Sequence, residues 1–377
     1  MPLKFVFGPS GSGKSTYLYQ HVIEESEKYP LKNFIVLVPE QFTMQTQKDL
    51  VSMHPRHGIM NIDVLSFARL AYRVFEETGT KQMQVLDDEG KNLILRKIAG
   101  DYENKLTVLK GNIKKLGYIS EVKSVISEFT QYDIGEEEID EMLDHLDEDS
   151  RLYYKLKDIR LLYEGFQDCL RERYITKEEL LDVLNSQVKE SELLKNSVVV
   201  LDGFTGFTPV QNRLILELMR CCKEVWVTVT MDERENPYAY KHPYQLFGLS
   251  KQMVTTLVRM AGEDHIEVEE PVCLYGYPVK RFEKNQELAF LERNIFRYGS
   301  GRYDKAVENL EIHAAGNPRQ EADAVAEGIR RLVRKEQYRY RDIGVIVSDM
   351  NVYGDYLEQA FETYGIPVFM DHKRSIL

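Results

Sequence analysis

The chain has 377 residues, a formal net charge of −12 and 43% hydrophobic residues, enough apolar material for two or three folded domains. That acidity argues against a protein that coats nucleic acid by charge alone, because such affinity comes from neutralising phosphates with Lys and Arg; a local basic groove is still allowed. No apolar run approaches the ~20 residues of a membrane span, and the N-terminus lacks the basic-then-apolar pattern of a signal peptide, so a cytoplasmic protein with no membrane partner is expected.

Leu3 to Phe7 is a short, mostly apolar run that predicts a buried strand, and Thr16 to Glu27 predict a helix. Between them lies Gly8-Pro9-Ser10-Gly11-Ser12-Gly13-Lys14-Ser15, which matches every position of a phosphate-binding loop. The glycines let the backbone turn its N–H groups toward phosphates, Lys14 reaches the terminal phosphates, and the Ser15 hydroxyl can sit on Mg²⁺. The helix N-terminus adds its partial positive charge. Gly8, Ser10, Gly11, Ser12, Gly13, Lys14, Ser15 and Thr16 are therefore the candidate nucleotide contacts, with ATP and Mg²⁺ as the cofactors.

Further strands are predicted at Phe34 to Val38, Ile62 to Ser66, Val198 to Leu201 and Val225 to Thr230. Their alternation with helices points to a parallel sheet. From about Asp87 to Lys195 the pattern is helical only. Within it, Gly135 to Asp149 carries nine carboxylates around an apolar face of Ile139, Met142, Leu143 and Leu146, which reads as a solvated helix face rather than a metal site or docking surface. Leu152, Leu156, Ile159, Tyr163, Phe166 and Leu170 form an amphipathic stripe suited to core packing. Thr176 to Glu179 reads as a capping box, with Ile175 and Leu180 placed as a hydrophobic staple.

The strand ending at Leu201 is followed by Asp202-Gly203. An ATPase with such a loop usually follows an apolar strand with an Asp that orients Mg²⁺, and in helicase-like members an adjacent Glu activates the attacking water. Asp202 suits the first role, so Ser15 and Asp202 are the candidate metal residues. Gly203 has no side chain and cannot act as a base. Losing a general base typically costs ~10²–10⁴ in rate, which would leave a slow switch or a passive binder. An ordinary strand-ending turn is the competing explanation of the same dipeptide.

After about Phe282 a second α/β pattern is predicted: an extended segment from Leu310, a helix from Arg319 to Lys335, a strand from Ile343 to Val347, a helix near Val352 to Tyr364 and an extended segment from Ile366. Arg330-Arg-Leu-Val-Arg-Lys335, with Arg339 and Arg341, is interleaved with Tyr338 and Tyr340. Contact with a nucleic-acid backbone and the cationic C-terminal end of an amphipathic helix explain it equally well. Cys169, Cys221, Cys222 and Cys273 have no CxxC spacing and are expected to be reduced structural thiols.

Val200 to Gln211, with Asp202, Phe204, Pro209 and Gln211 in frame, resembles the second motif of UvrD-like superfamily 1 helicases with several catalytic positions replaced. Val38-Pro-Glu-Gln-Phe-Thr43 and Val64 to Ala71 are similar to early DNA-contacting segments of that superfamily, in the wording of the AddB subunits of bacterial AddAB helicase-nucleases. The likeness extends through Pro318 to Ile329, Asp342 to Val347 and Gly365 to Ser375, and so covers essentially the whole chain. It implies an α/β fold: a P-loop NTPase (RecA-like) parallel sheet with an all-helical insertion and the start of a second RecA-like domain. The implied boundaries are 1–85 and 196–282 for the first domain, 86–195 for the insertion and 283–377 for the second, with the chain an N-terminal piece of a longer protein.

The resemblance further implies a subunit that pairs with an AddA-type helicase-nuclease and contacts single-stranded DNA during Chi scanning in double-strand-break repair. Phe42, Ser66, Phe67 and Arg69 are the candidate DNA contacts, since aromatics stack on bases while Arg and hydroxyls hold phosphates; packing is the competing explanation for Phe67. Nuclease carboxylates and an iron-sulfur cluster are expected only beyond Leu377. Where the superfamily's third motif should follow Thr230, the chain reads Met231-Asp232-Glu233-Arg234-Glu235. Three readings follow: a nucleotide-binding, hydrolysis-poor module; a working ATPase in which Asp232 or Glu233 replaces the missing Glu; and a small-molecule kinase using the same loop.

Overall fold

In the computed structural model, residues 2–79, 84–113, 115–170, 174–176, 179–297, 299 and 301–370 are described. In chain order the elements are β1 (Leu3–Gly8), α1 (Lys14–Lys28), β2 (Asn33–Leu37), α2 (Thr43–Met53), β3 (Ile62–Leu65), α3 (Phe67–Thr78) and β4 (Gln84–Val85). There follow α4 (Asp88–Asp101), α5 (Leu116–Gln131), α6 (Glu136–Asp144), α7 (Arg151–Leu170), β5 (Tyr174–Ile175), α8 (Glu179–Gln187) and α9 (Glu192–Lys195). The remainder are β6 (Ser197–Leu201), α10 (Pro209–Cys221), β7 (Glu224–Thr230), α11 (Gly248–Glu263), β8 (Val272–Cys273), α12 (Gln286–Asn294), α13 (Pro318–Lys335) and α14 (Met350–Thr363). The chain divides into two units between residues 300 and 301.

The first unit is built on a six-stranded sheet in the order β3-β2-β6-β7-β1-β8, every pair of which is parallel. Its strands are runs of Val, Ile, Leu and Phe because both faces are covered, as parallel sheets require. Leu3, Phe5, Phe7, Ile35, Leu37, Val199 and Leu201 face α3, α8, α10 and α11. The alternate residues Val6, Phe34, Val36, Val198, Val200 and Trp226 face α1 and α2. The five strands predicted for this unit are all present. The two-residue β8 was not predicted, being too short to show a period.

Residues 86–170 build a separate helical core from α4, α5, α6 and α7 around Leu95, Ile113, Ile119, Ile139, Leu162 and Phe166. The predicted α7 stripe holds from Leu156 onward, but Leu152 is 59% exposed, because it lies in the first turn of α7, ahead of the residues that reach the core. In the acidic helix Ile139 is buried and Leu143 packs beside it, whereas Met142 is exposed. Arg160 reaches across from α7 to Glu136 and Asp140 and pairs along its own helix with Glu164, which answers part of that carboxylate field. The stretch predicted as helices only contains β5, which pairs in parallel with β4 just ahead of that stretch, Gln84↔Tyr174 and Val85↔Ile175. The Thr176 and Glu179 side chains cap each other's backbone N–H as predicted, with Ile175 and Leu180 both buried.

In the second unit α13 and α14 pack through Ala322, Ala326 and Ile329 against Leu357, Ala360 and Phe361. The cations of 330–335 close α13, where they complement its carbonyl end. The strand predicted at Ile343 to Val347 forms no ladder among the described residues, nor do the segments from Leu310 and Ile366. Ile312, Ile346 and Phe369 stand at 100%, 98% and 89% exposure. The extended, apolar composition is there, but a strand exists only through a hydrogen-bonded neighbour.

Candidate functional site

The C-terminal ends of β1, β6 and β7 lie side by side, so the loop after β1, Asp202 after β6 and Met231-Asp232 after β7 meet at one edge of the sheet. Ligands of open α/β sheets bind at this edge. The Met231 N–H donates to the Gly8 carbonyl at 3.0 Å and the Asp202 N–H to the Leu37 carbonyl at 3.0 Å, which extends the sheet's register into the site.

The loop turns between β1 and α1 with Gly11 at φ 81° and Gly13 at φ 93°. At Gly11 that left-handed conformation is joined by a close approach: a Cβ there would lie 2.7 Å from Arg281 Cβ. The Lys14 ammonium folds over the loop and donates to the carbonyls of Gly8 and Pro9, both at 2.9 Å. Burial pulls it down to about 8, opposed by Asp202 and Glu292 and assisted by Arg281. Ser12 Oγ is buried with no hydrogen-bond partner among the described residues. An orphaned buried hydroxyl is costly unless something answers it. Ser10 is exposed at the crest, and Thr16 lies half-buried in the first turn of α1.

Asp202 is 5% exposed and is held by three hydroxyls. Ser15 Oγ donates to Oδ1 at 3.1 Å, Thr228 Oγ1 to Oδ1 at 2.6 Å, and Tyr19 Oη to Oδ2 at 2.6 Å. Burial, with the Asp202 charge, pushes the Tyr19 phenol well above its ordinary value, so it remains a donor across the accessible pH range. Ser15 and Asp202, predicted as the metal pair, are thus in contact across 187 residues of sequence. A hydroxyl and a carboxylate at the foot of a phosphate loop suit Mg²⁺, which takes few protein ligands and keeps water. Gly203 follows with φ 79°, a conformation that disfavours side chains other than Gly. The position therefore lacks the side chain of a base and holds a backbone conformation that disfavours one.

The carboxylates offered as substitutes for the missing base are engaged elsewhere. Asp232 takes two bonds from the Arg234 guanidinium, which hold its carboxyl down at about 2, with Arg297 also facing it. Glu233 pairs with Arg293 at 2.9 Å, and Glu235 with Lys251 and Arg297. A carboxylate held that far below neutral pH makes a poor general base. Sequence reading missed Glu292 on α12, which lines the same small cavity as Pro9, Asp232 and Arg234. Burial, then the charge of Asp232, raises its carboxyl above the ordinary value.

The four predicted DNA contacts separate into two pairs. Phe42, in a short 3-10 turn over Glu40–Phe42, is 49% exposed, and Arg69 is exposed. Ser66 and Phe67 serve the fold instead: the Ser66 hydroxyl caps α3 by accepting from the Arg69 N–H. Phe67 is 7% exposed and sits among Phe204 and Phe207, 5.4 and 6.4 Å away between ring centroids. Packing thus accounts for Phe67, which presents no free face to a base in this conformation.

A family model described as "ADDB, N-terminal" matches residues 5–292. This chain belongs to that family. Among curated relatives of this AddB-family chain, the B-subunit of an "ATP-dependent helicase/deoxyribonuclease" from Lachnoclostridium phytofermentans is 44% identical over 384 residues, covering 100% of this chain and 33% of the relative. Proteins of the same name from Caldanaerobacter subterraneus subsp. tengcongensis and Clostridium kluyveri are 35% and 34% identical, again over 100% of this chain and 32% and 33% of theirs. The AddB-family chain therefore spans about a third of the length of the curated relatives it matches. Among its described residues no helix is long and apolar enough to cross a membrane, and no group of three His, Cys, Asp or Glu side chains is placed to hold a metal. The cysteines are free and scattered; burial pushes the Cys222 thiol up to about 12, as suits a packed rather than reactive thiol.

Proposed function

We propose that this chain is the helicase-like, ATP-binding N-terminal region of an AddAB-type helicase-nuclease subunit, acting with an AddA-type partner in double-strand-break repair and recombination. It binds ATP with Mg²⁺ at the loop of residues 8–16, contacts single-stranded DNA through Phe42 and Arg69 as the strand is scanned for Chi, and hydrolyses little ATP itself. In this reading the chain comprises a RecA-like domain of residues 1–85 and 196–282, a helical insertion of 86–195 and the beginning of a second RecA-like domain from 283. Iron-sulfur and nuclease chemistry belong to parts of the protein outside this sequence.

One observation carries the reading: Lys14, Ser15 and Asp202 converge at the loop in an arrangement suited to phosphate and Mg²⁺, while the next position is Gly203 in a left-handed turn. When bound, Mg²⁺ would neutralise phosphate charge beside Ser15 and Asp202. The loop's N–H groups and Lys14 would hold the β- and γ-phosphates. A second reading, an active ATPase, is favoured by Glu292 alone. Its carboxyl is raised by burial and, among the described residues, engaged by no ion pair or hydrogen bond, the direction in which a general base is shifted.

Steady-state ATP turnover with Mg²⁺, with and without single-stranded DNA, separates the two. The proposal predicts turnover near background in both conditions and no change in Glu292→Gln. Strand-stimulated turnover that falls roughly a hundredfold in Glu292→Gln, the scale of a lost general base, would establish the second reading instead.

A further inference from the structure

The segment from Tyr275 to Phe282 crosses the phosphate loop from the far side. Its anchor is a main-chain bond, Arg281 N–H to the Gly11 carbonyl at 3.0 Å. It leads into a short 3-10 turn over Lys280–Phe282. The Arg281 guanidinium lies against the loop crest, with Nη1 3.5 Å from Ser10 Oγ, and the Lys280 stem passes beside Gly13. Both side chains are exposed.

Charge pairing makes this placement informative. Around the same edge Arg234, Arg293, Arg297 and Lys251 all have carboxylate partners. Lys280 and Arg281 have none among the described residues, in a chain with twelve more formal negative than positive charges. Two unneutralised cations are thereby held over a loop whose glycines and helix N-terminus already favour anions. Holding them there costs electrostatic energy, since Arg281 adds to the fall of the Lys14 ammonium. An anionic ligand with more charge than the loop alone can satisfy removes that repulsion.

We propose that Arg281, supported by Lys280, binds the terminal phosphate of the nucleotide and makes the site selective for a nucleoside triphosphate over a diphosphate. The inference rests on the nucleotide-binding reading above and assigns the contact to a segment about 270 residues away from the loop in sequence. Arg281 is a specificity residue here, because a guanidinium presents planar, fixed donors to phosphate oxygens, whereas Lys280 acts as a point charge.

Equilibrium binding of ATP and of ADP, each with Mg²⁺, is measured for the parent chain, Arg281→Ala, Arg281→Lys, Lys280→Ala and Lys14→Ala. Because the anchor at Arg281 is its backbone, the alanine variant keeps the Gly11 bond, and an unchanged thermal midpoint checks the fold. The proposal predicts that Arg281→Ala weakens ATP roughly tenfold, the scale of one charge-assisted hydrogen bond, while ADP binding changes less than about twofold. Arg281→Lys should recover part of the difference, and Lys280→Ala should show a smaller loss of the same sign. Equal losses for ATP and ADP, no loss, or tighter ATP binding would each overturn it while leaving Lys14-dependent binding intact. Absence of any Lys14-dependent binding would instead remove the nucleotide reading itself and this inference with it.

Discussion

Asp202→Asn is expected to leave the fold nearly as stable as the parent while abolishing the gain in ATP affinity that Mg²⁺ gives. The carboxylate accepts from Ser15, Thr228 and Tyr19, and an amide of the same shape keeps one acceptor. Its NH₂ group can donate to hydroxyls that rotate, since a hydroxyl both gives and takes. What Asn cannot supply is the negative charge for the cation. Asp202→Ala removes both functions. It takes the carboxylate acceptor from Tyr19 and Thr228, which are 5% and 3% exposed and keep only Thr46 and the Gly203 N–H as partners, at about 1–3 kcal/mol for a buried donor left without its acceptor. Urea unfolding alongside ATP titration with and without Mg²⁺ checks both variants. An Asp202→Asn chain that still binds ATP more tightly with Mg²⁺ would remove Asp202 from the metal pair.

Asp158→Ala is expected to destabilise the first unit by about 3–5 kcal/mol, the largest effect foreseen away from the loop. Asp158 lies on α7 with 2% exposure and accepts the backbone N–H groups of Thr107, Val108 and Leu109, each at 2.8 Å. That carboxylate ties the connection after α4 onto α7. Truncation leaves three N–H groups with no acceptor in the fold, where each missing partner costs the full desolvation of the group. Asp158→Asn retains one carbonyl oxygen and should lose less than half as much. Equilibrium urea denaturation measures both; a loss under about 1 kcal/mol for alanine would show that water replaces the carboxylate at little cost.

The parts of this fold legible in sequence are those written in consecutive residues. The loop of residues 8–15 declares itself because its glycines, Lys14 and Ser15 act together within one turn, and β1, β2, β6 and β7 show as apolar runs because a parallel sheet is buried on both faces. Asp202 was legible as the polar residue ending such a run. Its partners Tyr19 and Thr228 were not: on a helix and in a strand they look like ordinary packing residues, and only the sheet order brings them together. Arg281 was hidden for the same reason, its contact with the loop being tertiary.

Asp158 illustrates a different limit. One acidic residue on an amphipathic helix reads as solvated, and nothing local reveals three incoming N–H groups. Leu152 fails in the opposite sense, since an apolar period continues into a helical turn that reaches no core. In the second unit, Ile343 to Val347 carries strand composition without a ladder among the described residues, because pairing depends on a neighbour that composition cannot supply.

Whether Lys14 and its loop hold nucleotide is decided by calorimetric titration of ATP with Mg²⁺ into the parent chain and Lys14→Ala, from pH 7 to 9.5. Saturable binding is expected at pH 7, weakened at least about a hundredfold in Lys14→Ala, as loss of a charge-assisted phosphate contact implies. Only the protonated ammonium attracts phosphate, and burial pulls it down to about 8 in the free protein. Parent affinity should therefore be flat below that pH and fall by up to about tenfold per unit above it, until the higher value of the bound state is reached. Binding unchanged by Lys14→Ala, or affinity that holds level through pH 9.5, would contradict the account.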